Sequence, residues 1–227
     1  MTASAAKAVP ASRRTRGERA GIDRARIVEA ARGFDPDTLT MKAVADELGV
    51  DRKTLNHHVS DRDTLLGLMA LDAFSDTFSA VQVAAQGTWQ DACRTFARGF
   101  TDSVISTGVL VEHLRVEESL ATVALEATEA VIEKMIEAGF DDESAVRCLA
   151  LLTNICMAFA RDIVSISPNQ ESSRLQLLRR ALEGRSRADF VNLSRIADSR
   201  VNTYTERQLD LSIDVFLNGA GVTFLDR

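Results

Sequence analysis

Residues 39–66 read LTMKAVADELGVDRKTLNHHVSDRDTLL, and this stretch decides the fold. Thr40 is placed to cap a short helix, MKAVADEL, because a threonine oxygen there accepts a hydrogen bond from a free backbone N–H. Gly49 follows where a left-handed residue usually ends a helix, and Asp51 is placed to cap the next helix, RKTLNHHV. Two short helices joined by a three-residue turn are typical of a helix-turn-helix, which we predict at about residues 40–59.

The flanking residues predict one further helix on each side of this motif. Apolar side chains recur at helical spacing over residues 23–33, and Pro36 prevents that first helix from continuing. Ser60 and Asp63 match the capping-box pattern, which predicts a fourth helix over residues 61–80.

The rest of the chain predicts helices as well. Apolar residues recur at i, i+3 and i+4, and only three prolines interrupt 227 residues. We therefore predict an all-α fold, with helices at residues 89–106, 109–118, 120–138, 142–166, 173–184 and 205–221. Segment 185–202 is harder to assign, and a short helix within a connecting segment is one alternative.

Composition divides the chain into three parts. Residues 1–20 are rich in Ala, Ser and Arg without an apolar period, which predicts a disordered basic tail. Residues 1–62 carry 12 Lys and Arg against 9 Asp and Glu, whereas the remainder carries 15 against 24. This asymmetry indicates a basic end that meets an anion. We predict a helix-turn-helix domain over 21–70 and a larger C-terminal helical domain over 71–227.

The sequence argues against a membrane protein, a metal site and an enzyme. Apolar runs are far shorter than the roughly 18 residues of a spanning helix, and no signal peptide is recognisable, so we expect a cytoplasmic protein. His57 and His58 are adjacent, and adjacent helical positions point about 100° apart instead of converging on a metal. Cys93, Cys148 and Cys156 lie in apolar patterns, which predicts core thiols. We predict no catalytic residue, no metal and no cofactor, since no nucleophile–base pair is recognisable.

One face of the third helix has the chemistry of a DNA-reading surface. If Leu55 points into the small domain, Val59 shares its buried side. The other sides carry hydrogen-bonding side chains, namely Lys53, Thr54, Asn56 and His57. Such groups meet phosphates and base edges in a major groove, so the pattern favours DNA recognition.

The same stretch resembles the DNA-binding domain of TetR-family transcriptional regulators. The residues that carry the resemblance are Leu39-Thr40, Ala45, Leu48-Gly49-Val50, Thr54-Leu55, His58-Val59, Arg62 and Leu65. More loosely, TWQDACRTFARGF (88–100), EKMIEAGFDDESAV (133–146) and FLNGAGV (216–222) resemble the C-terminal domain of the tetracycline-repressor branch. The resemblance implies an all-helical homodimer whose N-terminal domain binds a palindromic double-stranded operator. Its C-terminal domain would dimerise and hold a small-molecule effector.

Carried over by position, the DNA-binding residues are Thr40, Lys42, Arg52, Lys53, Thr54, Asn56, His57, His58 and Arg62. Those expected at base edges are Lys53, Thr54 and His57, and those expected on phosphates are Thr40, His58 and Arg62. Asn56 stands where the family usually has tyrosine, and it either pairs with adenine or bonds a phosphate. Arg13, Arg14, Arg16 and Arg19 form either a flexible arm near the duplex or a solvated tail.

The resemblance also implies an effector site and a dimer interface. His113 lies near the position of a pocket histidine in the tetracycline-repressor branch, but the Thr-Arg-Pro that follows it there is replaced by Arg115-Val116-Glu117. A magnesium–tetracycline ligand is therefore not expected, and a small, mostly apolar effector is. The predicted ligand-binding residues are His113, Trp89, Phe96, Phe100, Met135, Asn154 and Phe159. The predicted dimer interface comprises Leu149, Leu152, Cys156, Ile163, Leu209, Ile213, Phe216 and Leu217.

The sequence thus predicts a ligand-responsive, DNA-binding transcriptional regulator, by family default a homodimeric repressor. Effector binding would shift the fourth helix and change the separation of the two third helices from the one-turn spacing of about 34–36 Å. The alternative is a DNA-binding regulator without a small-molecule effector, controlled by a partner or acting constitutively.

Overall fold

The computed structural model describes residues 22–78, 81–85, 87–115, 122–165 and 173–225. Within these ranges the regular secondary structure is helical and no strand occurs, so the all-α prediction is confirmed. The predicted tail, with its four arginines, lies outside the described residues.

Four helices make up the N-terminal part of the chain. They are α1 (Arg24–Ala31), α2 (Met41–Glu47), α3 (Arg52–Asn56) and α4 (Arg62–Phe78). The predicted cap of α2 is confirmed, because the Thr40 hydroxyl accepts a hydrogen bond of 3.1 Å from the N–H of Ala43. Gly49 has a φ of +66°, the left-handed conformation that the turn before α3 requires.

The prediction for α3 is confirmed at its start and wrong at its end. Asp51 stands at the N-cap of α3 as predicted, although its side chain makes no capping bond, and the helix ends at Asn56, before the predicted end at Val59. The N–H of Val59 still donates to the carbonyl of Leu55 at 3.0 Å, which keeps Val59 on the buried side.

The start of α4 is capped one residue later than predicted. Asp61, and not Ser60, accepts a hydrogen bond of 2.8 Å from the N–H of Thr64. That bond lowers the pKa of Asp61, which keeps the cap in its charged, stronger-accepting form. Ser60 instead donates its hydroxyl to the second Asp61 oxygen at 2.9 Å.

The C-terminal part is built from longer helices. They are α5 (Trp89–Ser106), a 3₁₀ helix (Gly108–His113), α6 (Leu125–Glu137), α7 (Asp142–Ser165), α8 (Ser173–Leu182), α9 (Val191–Ala197) and α10 (Glu206–Phe224). The helix predicted at 109–118 is therefore the short 3₁₀ helix, and residues 116–118 lie outside the described ranges. The uncertain segment 185–202 contains α9.

The fourth helix ties the two parts together. The predicted boundary between residues 70 and 71 falls inside α4, whose last turns pack on α5. Phe74 lies edge-on to Phe100 with ring centroids 5.4 Å apart, and Phe78 lies edge-on to Phe96 at 5.9 Å. Such aromatic contacts bury large apolar areas, so packed rings join the last turns of α4 to α5.

The connection from α4 to α5 depends on one glycine. A Cβ at Gly99 would lie 2.3 Å from a γ-carbon of Val81, far inside the contact distance of two carbons. The side chain of Val81 therefore packs directly against the backbone of α5, and this contact fixes the segment between α4 and α5 against that helix.

Candidate functional site

The outward side of α3 has the exposure predicted for it. Leu55 and Val59 are fully buried in the small domain, with relative exposures of 0% and 1%. The polar side chains named above as the DNA-reading face, Lys53, Thr54, Asn56 and His57, are all exposed. The structure thus places them together on one solvent-facing surface.

Arg62 is bonded to the loop that precedes α2. Its Nε donates to the carbonyl of Leu39 at 2.9 Å, and its Nη2 donates to those of Pro36 at 2.5 Å and Asp37 at 3.3 Å. Sequence reasoning placed this side chain on phosphate and missed the anchoring role. The observed bonds leave only Nη1 for the predicted phosphate contact.

Arginines of α1 are likewise engaged inside the domain. Arg24 Nε donates to the carbonyl of His58 at 3.2 Å, which ties α1 to the end of α3. Arg32 bonds Asp72, and also Asp76 at 2.8 Å, both on α4. These bonds orient α3 relative to α4.

The remaining cations of this surface have no internal partner. Lys42, Arg52 and Lys53 are exposed, and none of them makes a hydrogen bond or ion pair within the described ranges. The Thr40 hydroxyl accepts the capping bond but retains its own proton as a donor. The surface therefore offers unneutralised positive charge and free donors, as phosphate binding requires.

The predicted effector residues fall into three different environments. Trp89, Phe96, Phe100 and Met135 are buried in the core. Phe96 and Phe100 stack at 5.8 Å, and Trp89 lies edge-on to Phe140 at 5.0 Å. Asn154 is exposed on α7 and Phe159 is half-buried, so the structure does not bring the seven residues together around one cavity.

His113 lies at the junction with α4. Its Nδ1 is 3.1 Å from Oδ1 of Asp63, in the first turn of α4. Sequence reasoning placed this histidine in the effector pocket, but its ring bonds to the helix that follows the helix-turn-helix.

A buried hydroxyl that the sequence did not reveal marks the interior of the C-terminal part. Oγ1 of Thr101 on α5 is buried and has no hydrogen-bond partner within the described residues. The thiol of Cys156 on α7, a weak hydrogen-bonding group, lies beside it. The nearby hydroxyls of Ser103 and Thr107 both donate to carbonyls of their own helix. Thr101 is thus a buried hydroxyl whose neighbour, the Cys156 thiol, is a much weaker hydrogen-bonding partner than the oxygen or nitrogen that such groups usually have.

The three cysteines are buried, as predicted. Burial raises the pKa of Cys93 to about 12 and that of Cys156 to about 11. Their thiols are therefore protonated and unreactive at neutral pH. Among the described residues no group of three or more His, Cys, Asp or Glu side chains is placed to hold a metal ion.

The predicted dimer residues mostly pack inside the protomer. Leu152, Cys156, Leu209, Ile213, Phe216 and Leu217 are buried in its own core. Periodicity identified the apolar sides of α7 and α10 but did not separate the part facing inward from the part facing outward. The outward apolar side chains are Val146, Leu151, Leu211, Val215 and Val222, which we term the α7–α10 face.

Helix α7 is unusually apolar for an exposed helix. It is long and apolar enough to cross a membrane by length and composition alone, and 28% of its most apolar window is buried in the protomer. A groove of about 320 Å³ runs between α7 and α10, lined by Leu151, Ile155 and Val215 among others. This face therefore has the character of a protein interface that one protomer leaves uncovered.

Comparison with known proteins identifies the family. A family model described as "Tetracyclin repressor-like, C-terminal domain" matches residues 84–219. The fold is similar to that of ActR from Streptomyces coelicolor in complex with actinorhodin, at 24% identity and a TM-score of 0.70, covering 91% of this chain and 98% of ActR. It is also similar to the TetR regulator SCO7222 from the same organism, at 21% identity and 0.65, covering 89% and 99%.

A solved DNA complex has the same fold. BioQ with its natural double-stranded DNA operator matches at 20% identity and a TM-score of 0.54, covering 88% of this chain and 98% of BioQ. These identities support the shared fold, and the family model, which spans more than half of the chain, establishes the relationship. The chain belongs to the TetR family of DNA-binding transcriptional regulators.

Proposed function

We propose that this protein is a cytoplasmic homodimeric repressor that binds a palindromic operator and leaves it when a small molecule binds the C-terminal domain. The observation that carries the DNA-binding part is the cluster of unpartnered cations around α3. Arg24, Arg32 and Arg62 are all engaged within the domain, whereas Lys42, Arg52 and Lys53 point their charges into solvent. The domain thus engages three arginines internally, whereas Lys42, Arg52 and Lys53 are available to an external anion.

Each protomer would read one half-site. Lys53, Thr54 and His57 lie on the exposed side of α3, where they would reach base edges in the major groove. Lys42, Arg52 and the Thr40 hydroxyl would contact phosphate on either side. Asn56 would either pair with adenine or bond phosphate, because its exposed amide suits both.

The second protomer would cover the α7–α10 face. Two copies that pair α7 and α10 form a four-helix bundle, the usual way for two apolar helix pairs to become buried. Because a two-fold axis pairs the same face on both subunits, it also presents the two α3 helices in opposite orientation, as a palindrome requires.

The effector would bind inside the C-terminal part, near the buried Thr101 hydroxyl between α5 and α7. A small, mostly apolar molecule with one hydrogen-bonding group would offer Thr101 a stronger partner than the Cys156 thiol. ActR, which has a similar fold, is seen in complex with actinorhodin, which supports a small-molecule effector for this chain. A regulator without an effector remains the second candidate, since the predicted pocket aromatics Phe96 and Phe100 are stacked in the core.

The test of DNA binding is selection of bound sequences from random double-stranded DNA. We expect enrichment of an inverted repeat whose half-sites are about one helical turn apart. Affinity for the selected site should fall steeply with salt, since each neutralised phosphate releases condensed cations. Absence of an enriched repeat, or affinity that salt does not change, contradicts the proposal.

The test of the effector is a thermal-shift screen of metabolites against the dimer. A compound that raises the Tm and also releases the selected operator identifies an effector. In the Thr101→Val variant, whose side chain has a similar volume but no hydroxyl, such a compound should bind more weakly. A screen in which stabilising compounds never release DNA favours the regulator without an effector.

A further inference from the structure

The first turn of α4 is bonded on two sides by two consecutive residues. Arg62 reaches the loop before α2 and holds the carbonyls of Pro36 and Leu39. Asp63 faces the other way, with Oδ1 3.1 Å from Nδ1 of His113 and Oδ2 3.0 Å from Nη2 of Arg115. One helical turn therefore joins the helix-turn-helix to the C-terminal part.

A second contact one turn later fixes the same pairing. A Cβ at Gly67 would lie 3.6 Å from the carbonyl oxygen of His113, an ordinary contact distance. Residues 63 and 67 are four apart and share a face of α4. The 3₁₀ helix thus lies close along this face, with Asp63 at one end of the contact and Gly67 at the other.

The other side of the 3₁₀ helix is anchored in the C-terminal core. Leu110, Val111 and Leu114 are buried among the hydrophobic residues of that core. The 3₁₀ helix, which ends at His113, contacts α5 and α7 as well as α4. A displacement of that core reaches Asp63 through two charged or hydrogen-bonding side chains.

The contacts of Asp63 with His113 and Arg115 are accessible to solvent, so water can replace either partner. The side chains of Asp63 and Arg115 are 62% and 64% exposed, and that of His113 is 28% exposed. Exposed ion pairs add little to global stability, whereas they can still bias the orientation of two parts that are otherwise loosely coupled.

We propose that Asp63 is a positioning residue through which the C-terminal part sets the orientation of the helix-turn-helix. With His113 and Arg115 bound, Asp63 holds the first turn of α4, and Arg62 carries the loop before α2 with it. Breaking the bonds to His113 and Arg115 releases that turn and widens the range of separations between the two α3 helices of a dimer. The proposal rests on the proposed function for its effect on DNA, and its structural part requires the homodimer but not DNA binding.

The test combines distance measurement with a mutant cycle. A spin label at Glu47→Cys, an exposed position on α2, reports the distance between the two small domains of a dimer by pulsed electron resonance. The native thiols are buried and do not compete for the label. We expect Asp63→Asn to broaden this distance distribution and to change affinity for the selected operator by about threefold or more.

The cycle separates coupling from a direct charge effect on DNA. In the His113→Gln/Arg115→Gln background, Asp63→Asn should change neither the distribution nor the affinity further, because its partners are already gone. Asp210→Asn, which breaks the exposed pair between α10 and Arg98 of α5, is the matched control and should leave both quantities unchanged. Unfolding midpoints of all variants should agree to within a few degrees.

Two results overturn the proposal. One is a distance distribution of Asp63→Asn that matches the parent protein. The other is an effect of Asp63→Asn that persists in the double-variant background, which would assign it to relief of charge repulsion with phosphate. If the parent protein selects no DNA, the proposed function fails, while the distance measurement, made without DNA, still decides the role of Asp63.

Discussion

The protein leaves two kinds of surface uncovered, and their chemistry differs. The surface around α3 presents charged and polar groups such as Lys42 and Lys53. The α7–α10 face presents aliphatic side chains such as Leu151 and Val215, more than half exposed. Charged groups are well solvated in water, whereas exposed apolar area costs about 25 cal/mol per Å². The first surface therefore suits a reversible, salt-sensitive contact, and the second suits a lasting one.

The cations of α5 differ from those of α2 and α3. The side chains of Arg94 and Arg98 on α5 are 42% and 58% exposed, yet they bind Asp214 at 2.6 Å and Asp210 at 2.7 Å on α10. The cations of α2 and α3 have no such partner within the described residues. Positive charge alone thus says little about DNA, and the absence of a neighbouring carboxylate partner is what distinguishes the α3 surface.

The largest effect is expected from breaking the α7–α10 face. Val215→Glu would place a charge in the proposed bundle, so we expect a monomer in sedimentation or light scattering. Operator affinity should fall by about 10²- to 10⁴-fold, because the two half-sites are no longer bound together. Leu125→Glu, the same change at a similarly exposed position on α6, is the control. A variant at Val215 that stays dimeric would show that another face joins the protomers.

The next effect compares an unpartnered cation with a partnered one. Lys53→Ala should weaken operator binding about tenfold and reduce the slope of log affinity against log salt by about one, as the loss of one phosphate or base contact predicts. Arg98→Ala removes the same charge from the protein but should leave both quantities unchanged. DNA titrations at several salt concentrations measure both quantities. Equal losses of affinity in the two variants would show that the overall charge of the protein, and not a specific contact of α3, determines binding.

A pH effect is expected from the thiols in the C-terminal core. Burial holds the pKa of Cys93 at about 12 and that of Cys156 at about 11, against 9.0 for an unperturbed thiol. Above pH 9 the unfolded chain therefore binds fewer protons than the folded chain, and the free energy of unfolding falls as pH rises toward those values. The loss is about 1.4 kcal/mol per pH unit for each thiol.

Urea unfolding between pH 8 and 10.5 measures this slope. Cys156→Ala should lower stability at pH 8 by creating a small void but should make the decline above pH 9 shallower. In the folded parent protein, iodoacetamide should not modify the thiols at pH 8. An unchanged slope in the variant, or rapid alkylation, would show that these thiols are open to solvent.

The smallest effect is expected from the paired arginines themselves. Removing both exposed pairs in Arg94→Ala/Arg98→Ala should lower the free energy of unfolding by about 0.2–1 kcal/mol per pair. The effect should shrink at high salt, since exposed charges are screened. Thermal unfolding at low and high salt measures it, and a larger, salt-independent loss would point to packing by the arginine stems.

Local signals were sufficient to predict the exposed polar face of α3. The spacing of Leu55 and Val59 predicts which side of α3 is buried, and the exposed Lys53, Thr54 and His57 follow from the same geometry. The Thr40 cap and the left-handed Gly49 are likewise properties of a few neighbouring residues. Where two adjacent residues can both cap a helix, as Ser60 and Asp61 can, the sequence pattern alone predicted the wrong capping residue.

Long-range contacts decided the rest. The sequence by itself determined the all-helical class, the helix-turn-helix and the apolar sides of α7 and α10, because each depends on periodicity or on neighbours along the chain. Only the tertiary structure decided that Arg62 anchors the loop at Leu39, that His113 meets Asp63 fifty residues away, and that Leu152 faces inward while Leu151 faces out. The reason is physical: a helix period tells which residues share a face, but the partner of that face is set by helices distant in the chain.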